Sequence, residues 1–286
     1  MNRLPFERVA VLGAGTMGSG IAQVAAMAGS SVVLHDLEDR LVKRGLDAIA
    51  RFLQKGVDKG KVEPEARDAA LARIEVSTDP AGACHGADLL IEAVPEDLAL
   101  KQDLFADLSR ICPSGCVLAS NTSSLALARV FERATGKGRC IGMHFFNPVP
   151  LMPLVEVVRT ADTEPDVVDR ALAYARALGK EPILVRDSPG FASSRLGVCL
   201  GLEAIRMLEQ GVASAEDIDK AMVLGYGHPM GPLRLTDLIG LDVRMAIADY
   251  LHGELGQEGF RVPDLMRRMV AEGRLGKKSG RGFYEW

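Results

Sequence analysis

The chain is short of cysteine, aromatic residues and net charge. Its five cysteines (Cys84, Cys112, Cys116, Cys140 and Cys199) are odd in number, and no two form a Cys-x-x-Cys pair. That excludes the dense disulfide framework of a small secreted domain and points to a reducing, cytoplasmic setting. Cys84 beside His85, and Cys112 near Cys116, each offer half of a metal-ligand pattern. Neither has a second half, so no metal is expected. Lys plus Arg number 34 and Asp plus Glu 38, a formal net charge of −4. Nucleic acids and anionic membranes are bound through basic surfaces, so neither is expected as a partner. G-x-S-x-G, H-E-x-x-H and Walker motifs are missing too, which argues against an esterase, a metalloprotease or a nucleotide triphosphatase. Residues 9–34 carry no formal charge and follow Arg3 and Arg8, as in a signal or anchor segment. Glycines at 13, 15, 18, 20 and 29 and several polar residues make this a poor hydrocarbon span, so insertion and export are not expected.

What is present is hydrophobic sequence, 48% of 286 residues against 25% charged, enough for two ordinary domain cores. The uncharged stretch reads as strand, turn and helix. Residues 9–12 are an apolar run suited to a strand covered on both faces. Gly13-Ala14-Gly15-Thr16-Met17-Gly18 then supplies G-x-G-x-x-G, followed by a helical run over 21–27 and a stop at Gly29. Residues 31–36 form a second strand ending in Asp36, 18 residues after Gly18. Gly13 permits the tight turn, Gly15 the approach of a pyrophosphate, and Gly18 close helix–strand packing. The helix start offers its N–H groups and positive dipole end to the phosphates. A ligand-free glycine turn is the alternative, and the flanking strand, helix and acid weigh against it. Asp36 can accept hydrogen bonds from a ribose diol and repels a 2′-phosphate, so NAD is favoured over NADP.

Residues 38–73 read as a helical hairpin inserted into the sheet, with helices over 40–53 and 65–73. Further strands are expected at 87–94, 116–120 and 140–146, with a helix over 97–111, an alternation that implies a parallel, doubly wound sheet. Residues 154–159 return antiparallel after the Asn147-Pro148-Val149-Pro150 turn. A helix over 165–178 opens on a Thr163/Asp166 capping box, and 182–185 form the last strand. Beyond Asp187 strand signals nearly vanish. Helices are expected from 188 to near 211, from Ser214 onward, over 236–255 and over 264–272. The glycine-rich, aromatic tail over 276–286 is expected to pack against a neighbour. The fold class is therefore α/β: an N-terminal Rossmann-like domain over 1–186 with an inserted helical hairpin, followed by an all-helical domain over 187–286.

Five histidines are present, at 35, 85, 144, 228 and 252. His144 lies near the end of a predicted strand and just before a proline-rich turn, where clefts open in such sheets. Glu156 lies on the returning segment, so a hairpin can bring its carboxylate against the imidazole. Such a pair is suited to taking a proton from a hydroxyl near neutral pH. A satisfied core histidine is the other reading. Ser120-Asn121-Thr122-Ser123-Ser124 gathers polar groups at a strand end, as a binding loop or as a helix cap. Asn147 holds substrate or forms the turn. Lys55 and Lys59, at i and i+4 on one helical face with Lys61 nearby, would bind a polyphosphate tail or form a solvated face.

Taken together, these motifs resemble the 3-hydroxyacyl-CoA dehydrogenases over nearly the whole chain, in particular the short bacterial members that act on 3-hydroxybutyryl-CoA. The marks are Gly13-Ala14-Gly15-Thr16-Met17-Gly18, Ser120-Asn121-Thr122-Ser123-Ser124 and Gly142-Met143-His144-Phe145-Phe146-Asn147-Pro148. Others are Leu154-Val155-Glu156-Val157, Asp217-Ile218-Asp219-Lys220-Ala221-Met222, His228-Pro229-Met230-Gly231-Pro232 and Gly280-Arg281-Gly282-Phe283-Tyr284. The resemblance implies NAD-dependent, reversible oxidation of an (S)-3-hydroxyacyl-CoA to the 3-ketoacyl-CoA, with His144 as base and Glu156 as its orienting partner. It also implies that Ser123 and Asn147 contact substrate and nicotinamide, and that Glu96 and Lys101 approach the cofactor. The hairpin would meet coenzyme A, and the helical domain would form a homodimer. Ser194 departs from the family, which usually has asparagine before Arg195, so acyl preference does not carry across that position. Two rivals are a dehydrogenase of a free hydroxy acid or sugar acid on the same scaffold, and a dinucleotide-binding protein without catalysis.

Overall fold

The computed structural model describes residues 4–286, so Arg3 lies outside the described residues. Apolar runs buried on both faces build the first strand, β1 (Arg8–Leu12), and the glycine turn leads into α1 (Thr16–Ala28). β2 (Ser31–His35) is followed by α2 (Asp39–Asp58) and α3 (Pro64–Leu71). In α2 the buried residues Val42, Gly45, Ile49 and Leu53 recur at helical spacing, so one stripe faces the core. Next come β3 (Ile74–Ser77), α4 (Pro80–Cys84), β4 (Leu89–Glu92), α5 (Leu98–Ile111), β5 (Val117–Ser120) and α6 (Leu127–Val130). β6 (Cys140–Phe145), β7 (Leu154–Arg159), α7 (Pro165–Ala177) and β8 (Glu181–Arg186) complete the sheet.

The strands lie in the order β3-β2-β1-β4-β5-β6-β7-β8. All neighbours are parallel except β6 and β7, which run antiparallel in the register Met143–Val157, His144–Glu156 and Phe145–Val155. The hairpin of α2 and α3 is thus the crossover from β2 to β3. That strand was not expected from the sequence. Its Ile-Glu-Val-Ser is four residues long with one buried side chain, and it becomes a strand by pairing with β2 at the sheet edge. The expected capping box at 163–166 is corrected as well. Glu164 is the N-cap of α7, with Pro165 in its first turn, while the Thr163 hydroxyl donates to the Cys140 carbonyl at 2.8 Å.

The chain divides into two compact units between Ser188 and Pro189. Asp187 is tied into the first, where its carboxylate accepts the N–H groups of Leu127 and Ala128, each at 2.8 Å. The second holds α8 (Ser193–Glu209), α9 (Ala215–Tyr226), α10 (Pro232–Ile239), α11 (Leu241–Leu255) and α12 (Asp264–Ala271). The helix expected over 236–255 is two helices. Gly240, at φ +105°, leaves helical space and breaks it. α8 begins five residues later than expected, after the turn at Pro189-Gly190. Among the described residues no helix is long and apolar enough to cross a membrane. All five cysteines are free, and among the described residues no group of three or more His, Cys, Asp or Glu is arranged to hold a metal ion.

The tail folds back onto its own helical unit. Asp237 of α10, fully buried, accepts hydrogen bonds from the Phe283 and Tyr284 backbone N–H groups at 2.9 Å and from the Trp286 indole at 3.0 Å. The Arg234 guanidinium covers the Tyr284 and Trp286 rings. Asp237→Ala removes the shared acceptor of these donors. It is expected to lower the unfolding free energy by about 1–3 kcal/mol, read as a shifted urea midpoint. An unchanged midpoint would show that the carboxylate does not anchor the tail.

Candidate active site

Because β1, β4, β5 and β6 are parallel, their carboxyl ends share one edge of the sheet, the edge at which ligands bind in such folds. β1 lies between β2 and β4, so the chain reverses its winding there. Gly13 sits at that point with φ +102°, and a Cβ on it would stand 2.6 Å from the Ala93 carbonyl oxygen. A Cβ on Gly18 would stand 1.7 Å from the Gly13 carbonyl oxygen, so α1 can approach β1 this closely only with glycine. Gly15 faces open space, with nothing within 4 Å of a Cβ. As N-cap of α1 it brings no capping side chain, and the first turn holds no acid, so the dipole end is available to an anion. Asp36 follows β2, and its Oδ2 accepts the Ala14 N–H at 2.8 Å, which fixes the carboxylate at the mouth of the turn. Burial holds the neighbouring His35 below its ordinary value of 6.5, so this imidazole stays neutral near pH 7 beside the acid. These features fit a dinucleotide: room over Gly15, donors from α1 and an acid at the second strand.

Three carboxylates organise the rest of this edge. Glu156 is fully buried on β7, directly opposite His144 on β6, and its Oε2 lies 2.8 Å from His144 Nδ1. The contact expected from the hairpin is therefore made. Phe146 packs on the imidazole with ring centroids 4.4 Å apart. Glu92, at the end of β4, is also fully buried. It accepts from Lys101 Nζ at 2.5 Å, from the Val94 N–H at 2.8 Å and from the Ser120 hydroxyl at 2.6 Å. Glu96 takes the Thr122 hydroxyl at 2.6 Å and the Ser123 N–H at 3.1 Å, and lies 3.4 Å from Lys101 Nζ. Burial pushes the Glu96 carboxyl up, but Lys101 and the donors at 122–124 outweigh it and leave it below its ordinary value of 4.5.

His144, Asn147, Ser123, Glu96, Lys101 and Met17 line one cavity of about 320 Å³, together with Asn121 and Phe146. Thr16 and Asn147 share a second cavity of about 160 Å³ against α2. Lys55 is exposed on the last turn of α2. α2 ends at Asp58, and Lys59, also exposed, is its C-cap residue. It is Lys61 that lines a larger cavity, about 500 Å³, with Gln23, Phe52 and Leu151. Ser194 is the second residue of α8 in the helical unit. Sequence reasoning missed Glu92 and the individual part of Asn121, whose Oδ1 accepts the Phe145 N–H at 2.9 Å and ties the β5 end to β6. A charge closing the apolar run Leu89–Glu92 was the available signal for the first.

A glycine turn at the switch point of a doubly wound sheet, with a buried histidine–carboxylate pair at the same edge, defines a dinucleotide-dependent oxidoreductase. Residues 8–188 match the family model of the 3-hydroxyacyl-CoA dehydrogenase NAD-binding domain, and residues 190–286 match that of its C-terminal domain. The chain belongs to the 3-hydroxyacyl-CoA dehydrogenase family. It is 45% identical over 283 residues to a 3-hydroxybutyryl-CoA dehydrogenase of Mycobacterium tuberculosis, covering 98% of this chain and 99% of the relative. A mitochondrial hydroxyacyl-coenzyme A dehydrogenase of Sus scrofa is 42% identical over 290 residues, with 99% and 92% covered. The crystal structure of (S)-3-hydroxybutyryl-CoA dehydrogenase from Ralstonia eutropha superposes with a TM-score of 0.95 at 40% identity, covering 98% and 99%.

The lowered Glu96 value has a consequence for acid stability. A carboxylate held below its unfolded value adds stability that is complete above that value and is lost as pH falls through the folded one. The difference in unfolding free energy between the native chain and Glu96→Gln should be constant near neutrality and shrink below about pH 4.5. Urea titrations across the acid range read it; a difference that stays constant to about pH 3 contradicts the charge contacts described for Glu96.

Proposed function

We propose that the chain catalyses the reversible, NAD-dependent oxidation of short (S)-3-hydroxyacyl-CoA thioesters, such as 3-hydroxybutyryl-CoA, to 3-ketoacyl-CoA, with His144 as acid–base group and Glu156 orienting it. Family membership makes it an NAD-dependent oxidoreductase. The observation that carries the residue roles is the buried 2.8 Å contact between His144 and Glu156 in a cavity that Ser123, Asn147 and Glu96 share. NAD, when bound, supplies the hydride acceptor. Gly13, Gly15, Thr16, Met17 and Gly18 bind its pyrophosphate side, Asp36 its adenosine ribose, and Glu96 and Lys101 its nicotinamide side.

Glu156 accepts a hydrogen bond from Nδ1–H, which keeps that proton in place and makes Nε2 the basic nitrogen of the ring. His144 takes the proton of the 3-hydroxyl at Nε2 as the alcohol becomes a ketone, and returns it in the reverse direction. Glu156 stabilises the imidazolium formed in between. Ser123 and Asn147 position the substrate oxygen. Ser194, in α8 where the family usually has asparagine, is the residue of this reading that bears on acyl preference. The cationic end of the hairpin, Lys55 and Lys59 with Lys61, receives the coenzyme A phosphates, a reading supported by the cavity that Lys61 lines. The helical unit forms a homodimer, supported by the exposed apolar side chains Leu224 (80%) and Tyr226 (78%) of α9. Five unpaired thiols support a cytoplasmic setting.

Consumption of NADH with acetoacetyl-CoA tests the reading. His144→Ala should lower kcat by about 10²–10⁴-fold with the fold retained. Glu156→Gln should lower kcat by about 10²-fold or more while the NADH dissociation constant stays within about twofold. Near-normal turnover in His144→Ala refutes the assignment, and equal loss of turnover and NADH affinity in Glu156→Gln refutes the orienting role. Free acetoacetate reduced as well as its thioester moves the chain to the hydroxy-acid dehydrogenases.

A further inference from the structure

Glu92 is absent from the roles assigned above, yet five groups form a closed circuit through it. Lys101 Nζ donates to Glu92 Oε1 at 2.5 Å, and the Ser120 hydroxyl donates to Glu92 Oε2 at 2.6 Å. The Thr122 N–H donates to Ser120 Oγ at 3.2 Å, and the Thr122 hydroxyl donates to Glu96 Oε1 at 2.6 Å. Glu96 Oε2 closes the circuit on Lys101 Nζ at 3.4 Å. Glu92 is 0% exposed and Lys101 1%, whereas the Glu96 side chain is 38% exposed. Two carboxylates thus share one ammonium, and the buried one holds it more closely. A buried ammonium needs a buried counter-charge, because leaving either member of such a pair alone is costly. With Glu92 neutralising Lys101, Glu96 keeps its negative charge for the cavity side.

We propose that Glu92 is a positioning residue for the reaction. One oxygen sets the cofactor-facing pair Lys101 and Glu96, and the other sets the substrate-facing loop that carries Ser123. The inference rests on the dehydrogenase reading. It follows from the chemistry of the acceptor. The two oxygens receive the Val94 N–H, the Lys101 ammonium and the Ser120 hydroxyl, whereas a glutamine has one oxygen and an NH₂ that cannot accept. In Glu92→Gln the ammonium turns to Glu96 and withdraws its charge from the cavity, and the Ser120 hydroxyl loses its anionic acceptor. Ser120→Ala opens the circuit on the loop side alone, leaving the Glu92–Lys101 contact in place.

Two constants separate this from a purely structural role: the NADH dissociation constant from fluorescence titration, and the KM for acetoacetyl-CoA. Glu92→Gln should raise the first about tenfold and the second several-fold, with the far-ultraviolet circular dichroism retained. Ser120→Ala should raise the KM several-fold while NADH affinity stays within about twofold. Unchanged constants in a folded Glu92→Gln overturn the proposal. So does Ser120→Ala if it leaves the KM unchanged or moves both constants equally, and this arm decides the matter where Glu92→Gln fails to fold. A native chain that does not oxidise NADH with acetoacetyl-CoA refutes the dehydrogenase reading. A working native chain with unaffected variants refutes only the role of Glu92.

Discussion

Between Phe145 and Leu154 the chain doubles back, and this reversal creates the pair on which the site depends. β6 runs parallel to β5, so His144 arrives near the edge where the glycine turn opens. β7 runs back, so Glu156 stands opposite His144 in the same register. A slip of one residue would send Glu156 to the other face of the sheet, where Val155 and Val157 pack into the core. The register is held by that alternation. The valines must be buried on one face, and the carboxylate between them is then committed to the imidazole. A fully buried carboxylate without a partner would be costly, so the His144 contact serves folding as well as chemistry.

Glu92 and Glu156 share a design. Each adjoins aliphatic residues in its strand, each is fully buried, and each is met by a base from another segment. Strands in the middle of a sheet covered on both faces have no solvent to offer a charge. A carboxylate there is held by specific donors and hence in a defined orientation. Around Glu92 those donors come from the start of α5 and the end of β5, so one group ties two loops. Around Glu156 the tie runs across the antiparallel pair.

Much of the fold was legible locally. Strand, glycine turn, helix and acid followed from spacing between 9 and 36, where Gly13 and Gly18 are required by backbone geometry at their own positions. Strand patterning stops near 187, and the elements beyond it are helices. β3 was not legible, since Ile74–Ser77 carries a weak pattern and exists by pairing with β2. The division of α10 from α11 turned on the backbone angle of one glycine, Gly240, inside an otherwise helical pattern. The end of α2 at Asp58 is marked by Gly60, which follows the C-cap Lys59 at φ +63°.

The amino-acid sequence by itself determined the nucleotide turn, the acid that follows it, the candidate histidine and the partition into a sheet half and a helical half. These depend on short-range geometry and on periodicity, both written in consecutive residues. Tertiary structure decided which distant groups share a proton or a charge. Lys101 is nearer in sequence to Glu96 than to Glu92, yet its ammonium lies 2.5 Å from the latter and 3.4 Å from the former. Which carboxylate a buried cation meets depends on where strand ends and helix starts are packed together, and no run of adjacent residues encodes that by itself.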